Sequence, residues 1–450
     1  MSLKRCGKMG RILAAGVALA VGTLPLTAQQ ASAQQTRLQA TTRHALDMTL
    51  VKPESVGFST ARLERLHALM QEAVDQKHLS GVVTILARHG KVVDYRAYGQ
   101  RDMASGAPMT KDTIFRVASM TKPIVTVAAM MLVEEGKLSL PAPVSRYLPE
   151  FKDLKVGVEK KDESGKTQLV LEEPVQQMTV YDLLRHTSGL TYGIFGRSMV
   201  KTLYNEAKVQ DANQTTAELV TKLSKIPLQN QPGTTWDYSM SIDVLGRIIE
   251  VVSGMTLDQF VAQRVTGPLK MSDTGFWVEQ SSQGRLAQPQ NDPTTGKRPP
   301  MLDVTSKPNF LSSGGGMVST AADYARFCQF LLNKGQLDGV RLLGRATVEF
   351  MASDHLPIGT RVINFPFPVI DTRANNGQSF GLGFAVRVSP GRSPIPGSTG
   401  SYGWVGVYGP SFVVDPAEQM FAVFMVQDMT SMRGSNWTLM RVLPYQAVVE

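Results

Sequence analysis

The chain has 450 residues, of which 42% are hydrophobic and 19% charged, and its formal net charge is +9 at pH 7. A chain of this size and hydrophobic content can bury a large core, which excludes a disordered or collagen-like protein. The positive charges are scattered, with no arginine-rich arm or basic stripe interleaved with aromatic side chains, so we expect no nucleic-acid partner.

The first 33 residues have the pattern of an export signal peptide. Four Lys and Arg residues precede the apolar run ILAAGVALAVGTLPL, and the ASA of residues 31–33 suits a cleavage site. A membrane anchor is the alternative, but the run contains Pro25 and is short of the roughly 20 apolar residues that a spanning helix needs. We therefore expect an exported protein, periplasmic or secreted. Without this segment the chain has no predicted membrane span and a net charge of +5.

The next segments predict a helix followed by a β-hairpin. Apolar residues recur at helical spacing through SVGFSTARLERLHALMQEAVDQ, beginning with Leu63 and Leu66. The runs GVVTILARHG and KVVDYRAYG are strand-like and meet at the tight turn His89-Gly90. This hairpin is the first predicted part of a sheet.

The run FRVASMTKPIV at residues 115–125 places Ser119 three residues ahead of Lys122. On a helix these two residues share a face, so Ser119 Oγ and Lys122 Nζ can approach hydrogen-bonding distance. A lysine acts as a base near neutral pH only where burial or a cationic neighbour lowers its pKa. Residues 123–133, PIVTVAAMMLV, are apolar on every helical face, which predicts a fully enclosed helix. Ser119 at the N-terminus of that helix would place backbone N–H groups near a developing oxyanion.

Two other serine motifs compete with Ser119, because a Ser-x-x-Lys spacing alone is weak evidence. SMVK at residues 198–201 repeats the spacing, but it follows the loop TYGIFGR and enters no wholly apolar helix, so we predict that Ser198 is a surface or loop residue. GQSFG at residues 377–381 fits the G-x-S-x-G nucleophile elbow, which requires a strand, a sharp turn and a helix. The following LGFAVRV is strand-like, so we predict that Ser379 is structural.

The segment WDYSMSIDVLGRIIEVVSG places Tyr238 in the turn before an amphipathic helix. A buried phenol beside a lysine can relay protons, although on composition alone a tyrosine packed on the helix start is the more common arrangement. Cys328 is the one cysteine outside the signal and is predicted to be a buried packing residue. The histidines show no metal-ligand spacing, so no metal or other cofactor is expected, and His186 is predicted to be structural.

The C-terminal third returns to strand patterns, GGGMVST, SFGLGFAVRV, SYGWVGVYG, SFVVDP and MFAVFMVQ, before a closing helix. The charged excursion at residues 155–174 predicts an exposed hairpin. We predict an α/β fold of the α+β type, with an antiparallel sheet built from both chain ends, flanking helices and a helix-rich inserted region. The predicted divisions are the signal (residues 1–33), the first part of the α/β region (34–118), the helix-rich region (119–300) and the second α/β part (301–450).

Five ordered segments resemble a known superfamily: SMTK, MTVYDLLRHTSGL, YSM, SSGGGMVSTAADYARF and GSYGWVGVYG. From about residue 50 to residue 450 the chain resembles the serine β-lactamase and penicillin-binding-protein-like superfamily. Within it, the chain is most similar to the class C β-lactamase-like branch with the family VIII carboxylesterases. The resemblance implies a β-lactamase/transpeptidase-like fold, Ser119 as the acylated nucleophile, Lys122 as the amine that receives its proton, and Tyr238 as the tyrosine of the family's Y-x-N element.

The family's third element, K-T-G or H-T-G on an edge strand, aligns with Trp404, Val405 and Gly406. The resemblance implies that this strand binds substrate and presents the N–H of Val407, which with the N–H of Ser119 would form an oxyanion hole. Two positions depart from the family pattern, since Met240 replaces the Asn of Y-x-N and Trp404 replaces the cation that helps to bind the carboxylate of a β-lactam or peptide. Both departures disfavour efficient β-lactam hydrolysis.

The resemblance therefore favours a serine hydrolase that cleaves carboxylic esters of short acyl chains, and the signal-peptide pattern predicts that it is exported. The expected partner is a small-molecule ester or amide. Two alternatives stay open: a β-lactamase or DD-peptidase/amidohydrolase on the same scaffold, and a non-catalytic penicillin-binding sensor. A sensor would be acylated and stall, whereas an esterase would turn over.

Overall fold

The computed structural model describes residues 45–292, 296–363, 377–430 and 433–450, so the predicted signal peptide lies outside the described residues. A central sheet organises this part of the chain. The strands are β1 (Asp47–Leu50), β2 (Gly81–Arg88), β3 (Lys91–Asp102), β4 (Ala107–Pro108), β5 (Ile114–Arg116), β6 (Val156–Lys161), β7 (Thr167–Glu172), β8 (Thr235–Trp236), β9 (Val318–Thr320), β10 (Gln336–Leu337), β11 (Val340–Arg341), β12 (Arg361–Val362), β13 (Gln378–Phe380), β14 (Ala385–Arg387), β15 (Tyr402–Val405), β16 (Ser411–Asp415) and β17 (Met420–Val426).

The main sheet has the strand order β1-β3-β2-β17-β16-β15-β14-β13, with β4 paired to β3. All its neighbours are antiparallel except β1 and β3. Its centre joins the two ends of the chain, because β17 pairs with β2 from Met420 opposite Arg88 to Val426 opposite Val82. The predicted hairpin and the predicted sheet built from both chain ends are thereby confirmed.

Helices cover both faces of the sheet. They are α1 (Thr60–Asp75), α2 (Thr121–Glu134), α3 (Val180–Leu184), α4 (Met199–Glu206), α5 (Thr216–Leu223), α6 (Ser241–Ser253), α7 (Leu257–Val261), α8 (Ala321–Leu332), α9 (Arg345–Met351) and α10 (Arg433–Gln446). Alternate residues of β17 face opposite sides, as strand geometry requires. Phe421 and Val423 join the large core with α2 and α8, whereas Phe424 and Val426 pack with α1 and α10. None of the helices in the described ranges has the length and hydropathy of a membrane span.

Two short sheets outside the main one position the segments that matter below. β5 pairs antiparallel with β9, from Ile114 opposite Thr320 to Arg116 opposite Val318. Ser119 comes shortly after β5, and a run of three glycines, residues 314–316, comes shortly before β9. β8 pairs in parallel with β12 and leads towards Tyr238. The charged excursion forms the predicted hairpin β6–β7, with Leu171 exposed.

Some predicted strands have different bounds in the structure. The segment SFGLGFAVRV forms two antiparallel strands, β13 and β14, because Gly383 adopts a left-handed φ of 85° between them. Of GGGMVST only Val318–Thr320 is a strand, and it pairs with β5 and not with the main sheet. The predicted division into regions at residues 118 and 300 remains a prediction.

Candidate active site

Ser119 lies in a sharp turn between β5 and α2. The turn is a 3-10 helix, Ala118–Met120, that continues into α2 at Thr121, so the serine lies two residues before the α-helix. Ala118 has a φ of 46°, a left-handed conformation that costs a non-glycine residue of the order of 1–3 kcal/mol. Met317 holds the residues before and after this turn. Val117 N–H donates to the Met317 carbonyl, and Met317 N–H donates to Thr121 Oγ1. Ser119 itself stays partly exposed.

Lys122 points from the first turn of α2 into the protein and is fully buried. Every residue from Thr121 to Leu132 is buried, as the apolar run predicts. The Lys122 Nζ lies 3.2 Å from Ser119 Oγ, 3.4 Å from the Tyr192 hydroxyl and 2.5 Å from the carbonyl oxygen of Gly314. The amine therefore has three oxygen neighbours, one of which is the candidate nucleophile.

Burial lowers the pKa of Lys122 from its ordinary value of 10.5 to about 7, although the nearby Asp243 carboxylate opposes the shift. A charged ammonium loses its hydration in such a place, which favours the neutral amine. Near neutral pH a substantial fraction of Lys122 is thus unprotonated. This is the condition under which an amine can accept a proton from a serine.

Tyr238 completes a second side of the same site. It follows β8, and its segment is fixed by hydrogen bonds from Asp237 N–H to the His186 carbonyl and from Met240 N–H to the Thr191 carbonyl. Burial raises the pKa of the Tyr238 phenol far above its ordinary range, while hydrogen bonds with Ser119 and Trp404 partly offset this effect. The phenol is consequently protonated at neutral pH and can donate a proton.

Trp404 lies on β15 and is buried against Tyr238. Its Nε1 is 3.4 Å from the Tyr238 hydroxyl oxygen, and the two rings are 5.5 Å apart. The position where the family pattern expects a cation therefore carries a neutral donor to Tyr238. The structure brings Ser119, Lys122, Tyr238 and Trp404 together at one site.

Gly406 and Val407 come just after β15, which ends at Val405. A Cβ at Gly406 would lie 2.4 Å from the carbonyl oxygen of Val117, so only glycine lets this segment pass so close to the Ser119 turn. Val407 was expected on the strand but lies in the turn that follows, because Gly409 N–H donates to the Gly406 carbonyl and turns the chain.

Three residues of the site have no counterpart among the sequence predictions. Tyr192 and Gly314 contact the Lys122 amine directly. Asp243 is a buried carboxylate whose charge acts on Lys122. Of the three, Asp243 left a signal in the sequence, since it is a carboxylate between the apolar residues Ile242 and Val244 at the buried start of α6.

His186 lies behind Tyr238. Its ring is 4.8 Å from the Tyr238 ring, and its Nδ1 hydrogen-bonds Ser239 Oγ at 3.1 Å. Burial lowers the pKa of the imidazole well below its ordinary value of 6.5, so the ring is neutral. His186 thus packs its neutral ring against the Tyr238 ring.

The competing motifs have ordinary structural surroundings. Ser198 is the N-cap of α4, where its Oγ accepts from Lys201 N–H at 3.0 Å. Ser379 lies within β13, is followed by β14 and not by a helix, and donates to Asp354. Cys328 is buried in α8, where burial raises the pKa of its thiol. No group of three or more His, Cys, Asp or Glu side chains in the described ranges is placed to hold a metal ion.

Comparison with known proteins assigns the family. A family model described as Beta-lactamase matches residues 66–443. Protein Rv1367c of Mycobacterium tuberculosis (strain ATCC 25618 / H37Rv) is 36% identical over 375 residues, covering 81% of this chain and 90% of that protein. Esterase EstB of Burkholderia gladioli is 32% identical over 393 residues, with 81% and 90% covered.

A solved structure shares the fold. It is EstCE1, described as a hydrolase with promiscuous acyltransferase activity, and it is 27% identical. The two superimpose with a TM-score of 0.70 over 85% of this chain and 98% of that one. The chain belongs to the beta-lactamase family, as the resemblance of its motifs predicts, and is a serine hydrolase of the carboxylesterase-like kind.

Proposed function

We propose that this serine hydrolase cleaves carboxylic esters of short acyl chains through an acyl-enzyme on Ser119, with Lys122 and Tyr238 as its proton pair. One observation carries the proposal. A fully buried lysine with its pKa lowered to about 7 has its Nζ 3.2 Å from the Oγ of a partly exposed serine. A neutral amine within hydrogen-bonding distance is what activates a serine hydroxyl.

In the acylation step, Ser119 Oγ attacks the ester carbonyl carbon and its proton passes to Lys122 Nζ. The carbonyl oxygen becomes an oxyanion, for which we propose the N–H groups of Ser119 and Val407 as donors. Collapse of this intermediate breaks the bond to the alcohol oxygen, and the alkoxide takes the Tyr238 proton. The Lys122 ammonium then returns a proton to the phenolate, so the pair is restored.

In the deacylation step, water attacks the acyl carbon and gives its proton to the pair, and Ser119 leaves with a proton from it. The same groups serve both steps because the two steps are chemically symmetric. The Lys122 Nζ lies 4.5 Å from the centre of the Tyr238 ring. We therefore propose that the two side chains act as one proton relay.

Trp404 favours esters over β-lactams in this proposal. It supplies no positive charge for the carboxylate of a β-lactam or a peptide, and its N–H donates a hydrogen bond to the Tyr238 hydroxyl. Met240 likewise offers no amide for an acylamino side chain. The name of the Burkholderia relative, Esterase EstB, supports an ester as the substrate.

Parallel assays of the mature protein test the proposal, with p-nitrophenyl butyrate and a chromogenic cephalosporin as substrates. We expect steady turnover of the ester, with kcat/KM about 10²-fold or more above that for the cephalosporin, because the cation is missing. If the cephalosporin is the better substrate, a β-lactamase takes the place of the esterase. A single burst of p-nitrophenol without turnover would instead indicate a sensor that is acylated and stalls.

We also propose that the protein is exported, on the evidence of the basic residues, apolar run and ASA site of residues 1–33. Expression of the full chain in a bacterium, followed by N-terminal sequencing of the periplasmic and medium fractions, checks this. The expected result is a mature chain that begins with Gln34. An active protein that keeps Met1 and stays in the cytosolic fraction would contradict export.

A further inference from the structure

Asp243 is a buried carboxylate in the first turn of α6, only 1% exposed. Its Oδ1 accepts hydrogen bonds from Gly314 N–H at 3.0 Å and from Ser312 Oγ at 2.8 Å. A buried carboxylate is costly unless it is paired and hydrogen-bonded, so its position calls for a physical reason. The Lys122 amine, which binds the carbonyl oxygen of Gly314, provides that reason.

Gly314 links Asp243 to the Lys122 amine. Its N–H binds the carboxylate, and its carbonyl oxygen accepts from Lys122 Nζ at 2.5 Å. A Cβ at residue 314 would lie 2.3 Å from Asp243 Oδ2, so the carboxylate sits directly against a glycine that no other residue can replace without a shift. The place of the Gly314 carbonyl therefore depends on Asp243.

The Gly314 carbonyl also determines how the amine is oriented. A neutral amine has two N–H donors and one lone pair, and a carbonyl oxygen can only accept. One N–H of Lys122 must therefore point at Gly314. The second N–H and the lone pair remain for Ser119 Oγ and the Tyr192 hydroxyl, at 3.2 and 3.4 Å. Fixing one N–H thus restricts the lone pair to the side of the amine that faces these two hydroxyl groups.

Charge is the second link between Asp243 and Lys122. Besides Asp243, the titratable groups of the described residues that face the amine are Tyr192, Tyr238 and His186. Burial raises the pKa of both phenols and lowers the pKa of the imidazole, so these three are neutral near pH 7. Burial also raises the pKa of the Asp243 carboxyl, but the Lys122 amine and the hydrogen bonds from Gly314 and Ser312 oppose that rise. Among the four groups, Asp243 is therefore the one whose charged form the site stabilises.

We propose that Asp243 is a positioning residue for the base. Through Gly314 it fixes the orientation of the Lys122 amine, and its negative charge attracts the protonated form of that amine. This inference rests on the proposed function, since it assumes that Lys122 accepts the Ser119 proton. It adds a carboxylate that touches neither substrate nor nucleophile and yet sets the pH range of the reaction.

The pH profile of kcat/KM for p-nitrophenyl butyrate tests the proposal. In the wild-type protein we expect kcat/KM to fall tenfold per pH unit below about pH 7, since protonated Lys122 is inactive. Asp243→Asn keeps an oxygen for Gly314 N–H and Ser312 but removes the charge. The pKa of Lys122 should then fall further, so the acid limb should move to lower pH by about one unit.

Two variants accompany Asp243→Asn. Ser312→Ala removes a donor that favours ionised Asp243, so we expect a smaller shift in the same direction. This variant also keeps the test open if Asp243→Asn does not fold. Asp415→Asn is the matched control, because Asp415 is a buried carboxylate that, like Asp243, accepts hydrogen bonds from a backbone N–H and from a hydroxyl, here those of Ser398 and Tyr445. Its acid limb should coincide with that of the wild type.

The outcomes separate the inference from the proposed function. If the wild type shows the limb and neither Asp243→Asn nor Ser312→Ala moves it, Asp243 does not act on Lys122 and the inference is overturned, while the esterase proposal stands. A limb that moves equally in Asp415→Asn also overturns it, because the effect would then be general. If the wild type shows no limb that depends on Lys122, the proposed mechanism itself fails.

Discussion

Replacing Ser119 with alanine should lower kcat for p-nitrophenyl butyrate on the order of 10⁴-fold or more. Loss of a nucleophile removes the acyl-enzyme route altogether, and only binding and oxyanion stabilisation remain. Mass spectrometry after reaction with a fluorophosphonate provides the second readout. The wild-type chain should gain one phosphonyl group, and the Ser119→Ala chain should gain none.

Ser198→Ala and Ser379→Ala are the controls for this prediction, since both serines belong to motifs that compete with Ser119. Ser198→Ala removes an N-cap and should cost about 1 kcal/mol of stability without loss of kcat. Ser379→Ala removes a hydrogen bond to Asp354 within a strand. Ester turnover that survives in Ser119→Ala and disappears in Ser379→Ala would transfer the nucleophile to the elbow-like motif.

Lys122→Met should lower kcat about 10³-fold, within the range of a lost general base. Methionine has a similar length and fits the buried position, so the loss should reflect the missing lone pair and not a missing fold. The readouts are kcat, the circular dichroism spectrum and the rate of fluorophosphonate labelling, which should fall in parallel with kcat. Labelling at the wild-type rate would show that Ser119 is activated without Lys122.

Lys201→Met provides the control for Lys122→Met. Lys201 also follows a serine by three residues and is buried, but its amine donates to the Phe195 carbonyl. We expect kcat to stay within a few-fold of the wild type. Equal losses in the two variants would mean that the measured effect comes from burying methionine and not from the base.

The sequence alone could predict the parts of the site that depend on neighbouring residues, but not the contacts between residues far apart in the chain. The Ser119–Lys122 pair follows from helical spacing and an apolar run, both of which are local properties. The hairpin β2–β3 follows from two strand-like runs joined by a two-residue turn. The contact of Lys122 with Gly314 joins residues 192 positions apart, and no local rule relates them. Tyr192 escaped prediction for the same reason, and the pattern of α6 marks Asp243 as buried without relating it to Lys122.

The turn after β15 shows another limit of sequence patterns. Gly406 and Gly409 end the strand early, so Val407 lies in a turn although its neighbours alternate like a strand. The resemblance to a family supplied Tyr238 and Trp404 as site residues, which spacing alone could not have paired. Their contact at 3.4 Å depends on β8 and β15 meeting in space.

The buried lysine also has a thermodynamic cost for the whole protein. A pKa that falls from 10.5 in the unfolded chain to about 7 in the folded one corresponds to roughly 5 kcal/mol against folding at and below pH 7. Because the unfolded chain holds the proton more tightly, this cost shrinks as the pH rises from 7 towards 10.5. Lys122→Met removes it but leaves the Gly314 carbonyl without a partner, a loss of about 1–3 kcal/mol. The inactive variant should therefore resist urea better than the active protein at pH 7, which makes the same side chain a source of reactivity and of fragility.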